Sequence, residues 1–309
     1  MSNFLMQLSG QAENRFYGHV DILAKYAGLV GTPFVNGYIQ HGWNATDGFG
    51  NYLGSKRFAN KFVWSKRCEE IIKKNGKKNV FAIGAPWIYL SDIYPSISTG
   101  SKKGVIAYPA HSSSWSKLGN TSNEYAQFLK EKYGTVTVVL HRYDFLSPEK
   151  KDSYLNFGHV VTTHGIGTPW EKGFDPLFLK NQRDLLNNFS IITSNVTSTP
   201  ILYGMSLGLK AEIGGPVDYS ITNSDDKASQ TGDGNTNWNL LVEKNPIFWQ
   251  QELGIENKKT PQELKEILGW SPTSKKSTSY IFLRAKDLIT GSNKFVSVEV
   301  FKANFKNKL

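Results

Sequence analysis

Apolar residues fall into short runs separated by polar turns, and the runs alternate between two periods. GVIAYPA (Gly104 to Ala110) is a β-forming run, and the following NEYAQFLKEKYG places Tyr125, Phe128 and Leu129 at helical spacing before Gly134. The alternation then repeats. TVTVVLHRYDF reads as a strand, SPEKKDSYLNFG as a helix with Ser147 at the N-cap and Pro148 at the first helical position, and HVVTT as a strand. PLFLKNQRDLLNNF reads as an amphipathic helix, SIITS as a strand, TPILYGMSLG as a helix and LKAEIG as a strand. Such alternation predicts a parallel sheet covered on both faces, a Rossmann-like lobe over residues 101–216.

The first hundred residues give a weaker version of the pattern. FYGHVDILAKYAGLVG reads as a helix, TPFVNGYIQHG and KFVWS as strands, KRCEEIIKKNG as a helix and KNVFAIGAP as a strand, which predicts a smaller α/β lobe over residues 1–100. PSISTGSKKG is composed like a linker. Residues 217–309 begin with the polar SITNSDDKASQTGDGNTN and continue into a helix-rich extension, where Thr260 and Glu263 match a capping box. The expected fold is α/β: two Rossmann-like lobes, a cleft between them, and an extension packing back on both.

Composition narrows the class. No window reaches the roughly 18 consecutive apolar residues of a membrane span, and the N-terminus lacks the basic and apolar regions of a secretory signal, so a soluble, cytoplasmic protein is expected. The single cysteine, Cys68, excludes an intramolecular disulfide and a multi-cysteine zinc site, and reads as a structural thiol. A net charge of +10 points to anionic partners; because the lysines are dispersed and no nucleic-acid module appears, phosphorylated or acidic small molecules fit better than nucleic acid. No metal-ligand spacing is present, and GxxxxGK[ST], GxSxG and a strand-linked GxGxxG are all missing. That disfavours a nucleotide triphosphatase, an α/β hydrolase and a dinucleotide dehydrogenase.

Ligands of open parallel sheets lie beyond the C-terminal strand ends, and here those ends are polar. GVIAYPA is followed by His111, Ser112 and Ser113, TVTVVL by His141 and Arg142, HVVTT by His164 and Gly165, and SIIT by Ser194, Thr197, Ser198 and Thr199. Hydroxyls where a strand hands over to a helix suit phosphate, because a helix N-terminus offers free N–H groups and partial positive charge; plain N-capping is the structural alternative. His41 sits in IQHGW, another strand-to-glycine turn, and Asp47 in TDGFGN, where a turn role competes with chemistry. His19 and His159 read as structural.

The segment TSNVTSTPILYGMSLGLKAEIGG resembles the donor-phosphate segment of GT-B bacterial surface-polysaccharide glycosyltransferases, and IQHGW resembles the HG turn of capsule and teichoic-acid polymerising enzymes. The nearest type is the capsule transferases of sialic, Kdo and pseudaminic acids. The resemblance implies a nucleotide-activated sugar donor, CMP-linked in that type, with no cofactor or metal, and an oligosaccharide or lipid-linked glycan acceptor. It implies phosphate against Ser194, Thr197, Ser198 and Thr199, donor contacts from His111, Ser112, Ser113, His141, Arg142, His164 and Gly165, and His41 or Asp47 as the base that activates the acceptor. The Phe/Lys tail FVSVEVFKANFKNKL suits peripheral contact with an anionic membrane as well as a solvated basic end. A CDP-glycerol-type glycerophosphotransferase, a non-catalytic nucleotide-sugar binder and a phosphorylated-sugar epimerase are the alternatives.

Overall fold

The computed structural model describes residues 11–49, 60–95, 101–111, 117–118, 121–217, 221–222, 232–272 and 274. Ser112 and Ser113, part of the linker-like stretch, most of the polar loop after Gly215 and the Phe/Lys tail lie outside them.

Helix α1 (His19–Tyr26) precedes a parallel three-stranded sheet, β1 (Tyr38–Ile39), β2 (Lys61–Val63) and β3 (Val80–Ala82), in that spatial order. Between β2 and β3 runs α2 (Lys66–Lys74), capped by the Ser65 hydroxyl, which accepts from the Cys68 N–H; α3 (Leu90–Ile93) follows β3. Cys68 is buried and reduced, packed with Tyr38, Val63, Ile72 and Val80 on the outer face of this sheet.

The second lobe contains β4 (Val105–Ala107), β5 (Lys117–Leu118), α4 (Ser122–Tyr133), β6 (Thr137–Val139), α5 (Arg142–Phe145), α6 (Pro148–Leu155), β7 (Val160–Thr162), α7 (Phe178–Leu186), β8 (Ile191–Ser194), α8 (Thr199–Ser206) and β9 (Lys210–Ile213). Five of its strands form a parallel sheet in the order β7-β6-β4-β8-β9. Counted within the sheet that order is 3-2-1-4-5, the doubly wound arrangement in which the chain turns to opposite sides after its first strand. The switch point therefore falls between β4 and β8. β5 pairs antiparallel with β10 (Ile221–Thr222), and the chain continues through α9 (Gly232–Lys244), α10 (Phe248–Glu252) and α11 (Pro261–Ile267). The Thr260–Glu263 capping box forms as its spacing predicts.

A single apolar cluster joins the two lobes and the C-terminal helices: Phe62, Trp64 and Ile83 meet Ile106, Ile192, Ile201 and Leu202, with Leu253, Leu264 and Leu268 alongside. Helix α8 is the hub of this union. Tyr203 stacks on Trp87 of the first lobe (3.9 Å between centroids, 5° between planes), and Trp87 Nε1 donates to Ser206 Oγ at 2.8 Å. The C-terminal helices close on the first lobe through backbone bonds, Ala85 N–H to Leu253 O and Asn36 N–H to Leu268 O. Gly254 makes this closure possible: its φ is +67°, and an added Cβ would lie 1.9 Å from the Trp64 carbonyl oxygen. Gly254→Ala is therefore expected to cost about 2 kcal/mol or more, seen as a lowered midpoint in denaturant titration.

Local readings depart from the structure where tertiary contacts override pattern. The helix expected from FYGHVDILAKYAGLVG starts only at His19, because Tyr17 (φ 56°) and Gly18 (φ 79°) turn left-handed. The Tyr17 N–H is held there by the Gly167 carbonyl of the second lobe, and a Cβ on Gly18 would strike the Pro176 carbonyl. HRYDF does not continue β6 but forms the one-turn α5, and the TPFVNGYIQHG strand is reduced to Tyr38–Ile39. Among the described residues no helix is long and apolar enough to cross a membrane.

Candidate functional site

The C-terminal edges of the two parallel sheets face each other. The Trp43 N–H, just beyond β1, donates to Thr199 Oγ1 at the start of α8 (2.9 Å), so the HG turn of one lobe docks on the hydroxyl turn of the other. Gly42 permits the approach: a Cβ there would lie 3.2 Å from the same oxygen. Gln40, fully buried, braces the turn by accepting from the Trp64 N–H and donating to the Gly42 carbonyl.

Three histidines from three strand ends gather at this junction. His111, beyond β4, stacks on His141, beyond β6, at 4.3 Å and 13°; both interact electrostatically with His41, beyond β1. Burial and the neighbouring imidazoles push His141 down to about 3, so it is neutral at pH 7, and its Nδ1 is buried with no hydrogen-bond partner among the described residues. His41 keeps an open face to solvent. The edge of Phe16 meets its ring at 4.1 Å and Tyr17 lies at 5.0 Å; this crowding also lowers its proton affinity, against the opposing pull of the Glu13 carboxylate. A neutral imidazole of this kind accepts a proton.

The other expected site residues divide by what they touch. His164 Nε2 bonds the Tyr108 hydroxyl at 2.8 Å, and its ring lies between Tyr108 and Phe178, where burial lowers it to about 4. Gly165 (φ 85°) is exposed beside it. Arg142 is ion-paired with Glu171, which also accepts from the Tyr143 hydroxyl, so its guanidinium is matched within its own lobe.

Of the hydroxyls, Ser194 is buried and accepts from the Val196 N–H, while Thr197 donates to Asn239 Oδ1 of α9 at 2.6 Å. Both brace the turn. Thr199 lies at the junction, and the Ser198 hydroxyl, at the N-cap of α8, is buried without a partner among the described residues. Asp47 folds into its own loop: Oδ1 accepts from the Phe49 N–H, a turn role, and the charged groups acted on by its carboxylate include Lys61 and Arg67 of the first lobe. His19 is buried between Tyr17 and Trp64, and His159 accepts from the Val136 N–H while its Nε2 bonds the Ala126 carbonyl; both are structural.

No family model matches the chain, and no curated protein sequence matches it. Similar solved structures exist. One is the UDP co-structure of S. aureus MnaA, with 12% identity and a TM-score of 0.42 over 88% of this chain and 84% of that one. Another is a point mutant of S. aureus TarM in complex with Fondaparinux, alpha-GlcNAc-glycerol and UDP, with 12% identity and a TM-score of 0.31 over 74% and 43%. A third is Phytolacca americana UGT2 with UDP-2fluoro-glucose and pterostilbene, with 13% identity and a TM-score of 0.30 over 77% and 53%. Likeness at this level says nothing about activity, which has to be argued from the chain's own geometry.

Residues outside the expected site set complete the junction. Glu252 of α10, almost fully buried, accepts from Trp43 Nε1 (2.6 Å) and from Arg67 Nε and a terminal guanidinium nitrogen (2.8 and 2.7 Å). Arg67 also donates to the Asn44 and Thr46 carbonyls and lies over Trp238. Asn195 spans the switch point, accepting from the Ala110 N–H beyond β4 and donating to the Pro216 carbonyl beyond β9. The strand-end position of Asn195 is a signal visible in sequence; Glu252, 209 residues from Trp43, has none.

Proposed function

We propose that the chain is a glycosyltransferase that binds a nucleotide-activated sugar where the two sheet edges meet and transfers the sugar to a glycan acceptor. The observation that carries this reading is the meeting of the His41-Gly42-Trp43 turn with the Ser198-Thr199 turn at the switch point, with His111 and His141 beside it. Open parallel sheets bind ligands at such a point, and here donors for a leaving phosphate lie opposite a neutral imidazole. In this reading the α8 N-terminus, the Ser198 and Thr199 hydroxyls and His141 hold the phosphate. His41 takes the proton from the acceptor hydroxyl as the bond to the sugar forms and the nucleotide leaves. Ser194 and Thr197 shape the turn, and Asp47 shapes the loop behind it. The tail and the membrane stay outside this reading.

The donor base and sugar follow from a thermal-shift screen against CMP, CDP, UDP, GDP and ADP. A nucleotide at a hundredfold excess over its Kd adds about 2.7 kcal/mol of stability. Selective stabilisation by CMP would favour an acidic sugar, the donor implied by the resemblance to capsule transferases of sialic, Kdo and pseudaminic acids, by CDP a glycerophosphotransferase, and by UDP or GDP a neutral-sugar transferase. No stabilisation by any of the five contradicts the proposed site.

A further inference from the structure

Among the described residues, every tryptophan but one belongs to the apolar cluster that joins the lobes: Trp43, Trp64 and Trp87 lie within it, and Trp238, Trp249 and Trp270 pack against it. Trp170 is the exception. It is half-buried in the loop after β7, outside all three apolar clusters, and the ring it meets among the described residues is that of Phe16, at 4.8 Å and 79°. Phe16 in turn meets His41 at 4.1 Å, so one ring separates a partly open indole from the exposed imidazole of the junction. We propose that Trp170 is the platform for a sugar ring of the acceptor, stacking on the ring's C–H face and donating its indole N–H to a hydroxyl at the rim. The inference rests on the reading of His41 as the base that faces the acceptor, and it adds the side chain that recognises the acceptor.

An indole suits this ligand because it offers a flat apolar face and one polar handle, the same division that a sugar ring presents. Its loop is held firmly. The Glu171 carboxylate is ion-paired with Arg142 and accepts from the Tyr143 hydroxyl, the Glu171 N–H donates to the Thr168 carbonyl, and the Phe174 N–H donates to the Glu171 carbonyl. The N-terminal segment grips the same loop: the Tyr17 N–H donates to the Gly167 carbonyl at 2.8 Å, and Arg15 lies over the Phe174 ring. Gly167 makes that grip possible, since a Cβ there would lie 2.2 Å from the Tyr17 ring. A side chain placed before the ligand arrives loses little freedom on binding. A nucleobase also stacks flat on an indole. The contacts of Trp170, however, run through Phe16 to His41, whereas α8, the source of the phosphate contacts, meets the turn at Gly42 and Trp43. That placement favours the acceptor sugar.

The test is an NMR titration of the intact protein, labelled at the indole nitrogens, with the methyl glycosides of glucose, galactose, N-acetylglucosamine and N-acetylneuraminic acid. The nucleotide chosen by the thermal screen is present throughout, and the Trp170 signal is identified by its loss in Trp170→Phe. At least one glycoside is expected to move that signal along a saturable curve, while glycerol, which has hydroxyls but no ring, leaves it in place. Trp170→Leu, which keeps apolar bulk without a flat face, should weaken that glycoside about fivefold or more, and Trp170→Phe should stay within about twofold of the parent. Nucleotide affinity should be unchanged in both. Three results would overturn the inference while leaving the donor site standing: no glycoside moves the signal, Trp170→Leu binds the glycoside as the parent does, or Trp170→Leu weakens the nucleotide instead, which would make the indole a base platform. Failure of every nucleotide in the thermal screen contradicts the donor site; the glycoside titration, run without nucleotide, then still decides whether Trp170 holds a sugar.

Discussion

Glu252→Ala is expected to destabilise the protein by about 3–5 kcal/mol, the usual cost of breaking a buried ion pair from one side. The carboxylate is 1% exposed and holds two groups at once, the Arg67 guanidinium and the Trp43 indole N–H. Its removal leaves a largely buried charge that keeps backbone carbonyls of residues 44–46, the Trp238 ring and the more distant Asp47 carboxylate but has lost its ion-pair partner. Denaturant titration measures the loss. Adding Arg67→Met to Glu252→Ala should recover part of it, since the unpaired charge goes too; two losses that simply add would show that the pair is not coupled. Because Trp43 also touches Thr199, the same substitution should weaken nucleotide binding, a second effect that local packing alone would not produce.

His41→Ala carries the largest expected effect on activity. Loss of a general base typically reduces turnover by about 10²–10⁴. Nucleotide affinity should stay within a few-fold of the parent, because phosphate contacts in this account come from α8, Ser198, Thr199 and His141. The reverse pattern is expected of Ser198→Ala combined with Thr199→Ala, which should weaken nucleotide binding. Steady-state kinetics with separate kcat and KM, beside a direct binding measurement, distinguishes the two. Turnover that survives in the His41 variant removes it from the catalytic role.

The strands and helices of the second lobe are legible in sequence because each buries a periodic face. Ile192 and Thr193 in β8 and Ile201, Leu202 and Tyr203 in α8 are all buried, and the pattern SIIT…TPILYG shows why. Strand order is not written in those periods, but it puts the polar strand ends where the sheet rule predicts. Pattern does not reveal which hydroxyls are already engaged. Thr197 looks like Ser198 in sequence, yet a side chain 42 residues away in α9 satisfies it. The same limit hides Glu252, whose partners lie 185 and 209 residues away, and the left-handed Tyr17, whose conformation depends on a carbonyl of the other lobe. Sequence leaves Asp47 between a turn role and a catalytic one, and the Phe49 N–H bond puts its carboxylate in the turn.

The six histidines offer the most direct test of where the nucleotide goes. In an NMR titration of imidazole-labelled protein with the nucleotide chosen by the thermal screen, the signals of His41, His111 and His141 should move together along one binding curve. His159, buried beside Val136 and Ala126 at the other end of the second sheet, should hold its position. Saturable binding that leaves the first three unmoved would contradict the claim that the facing strand ends form the donor site.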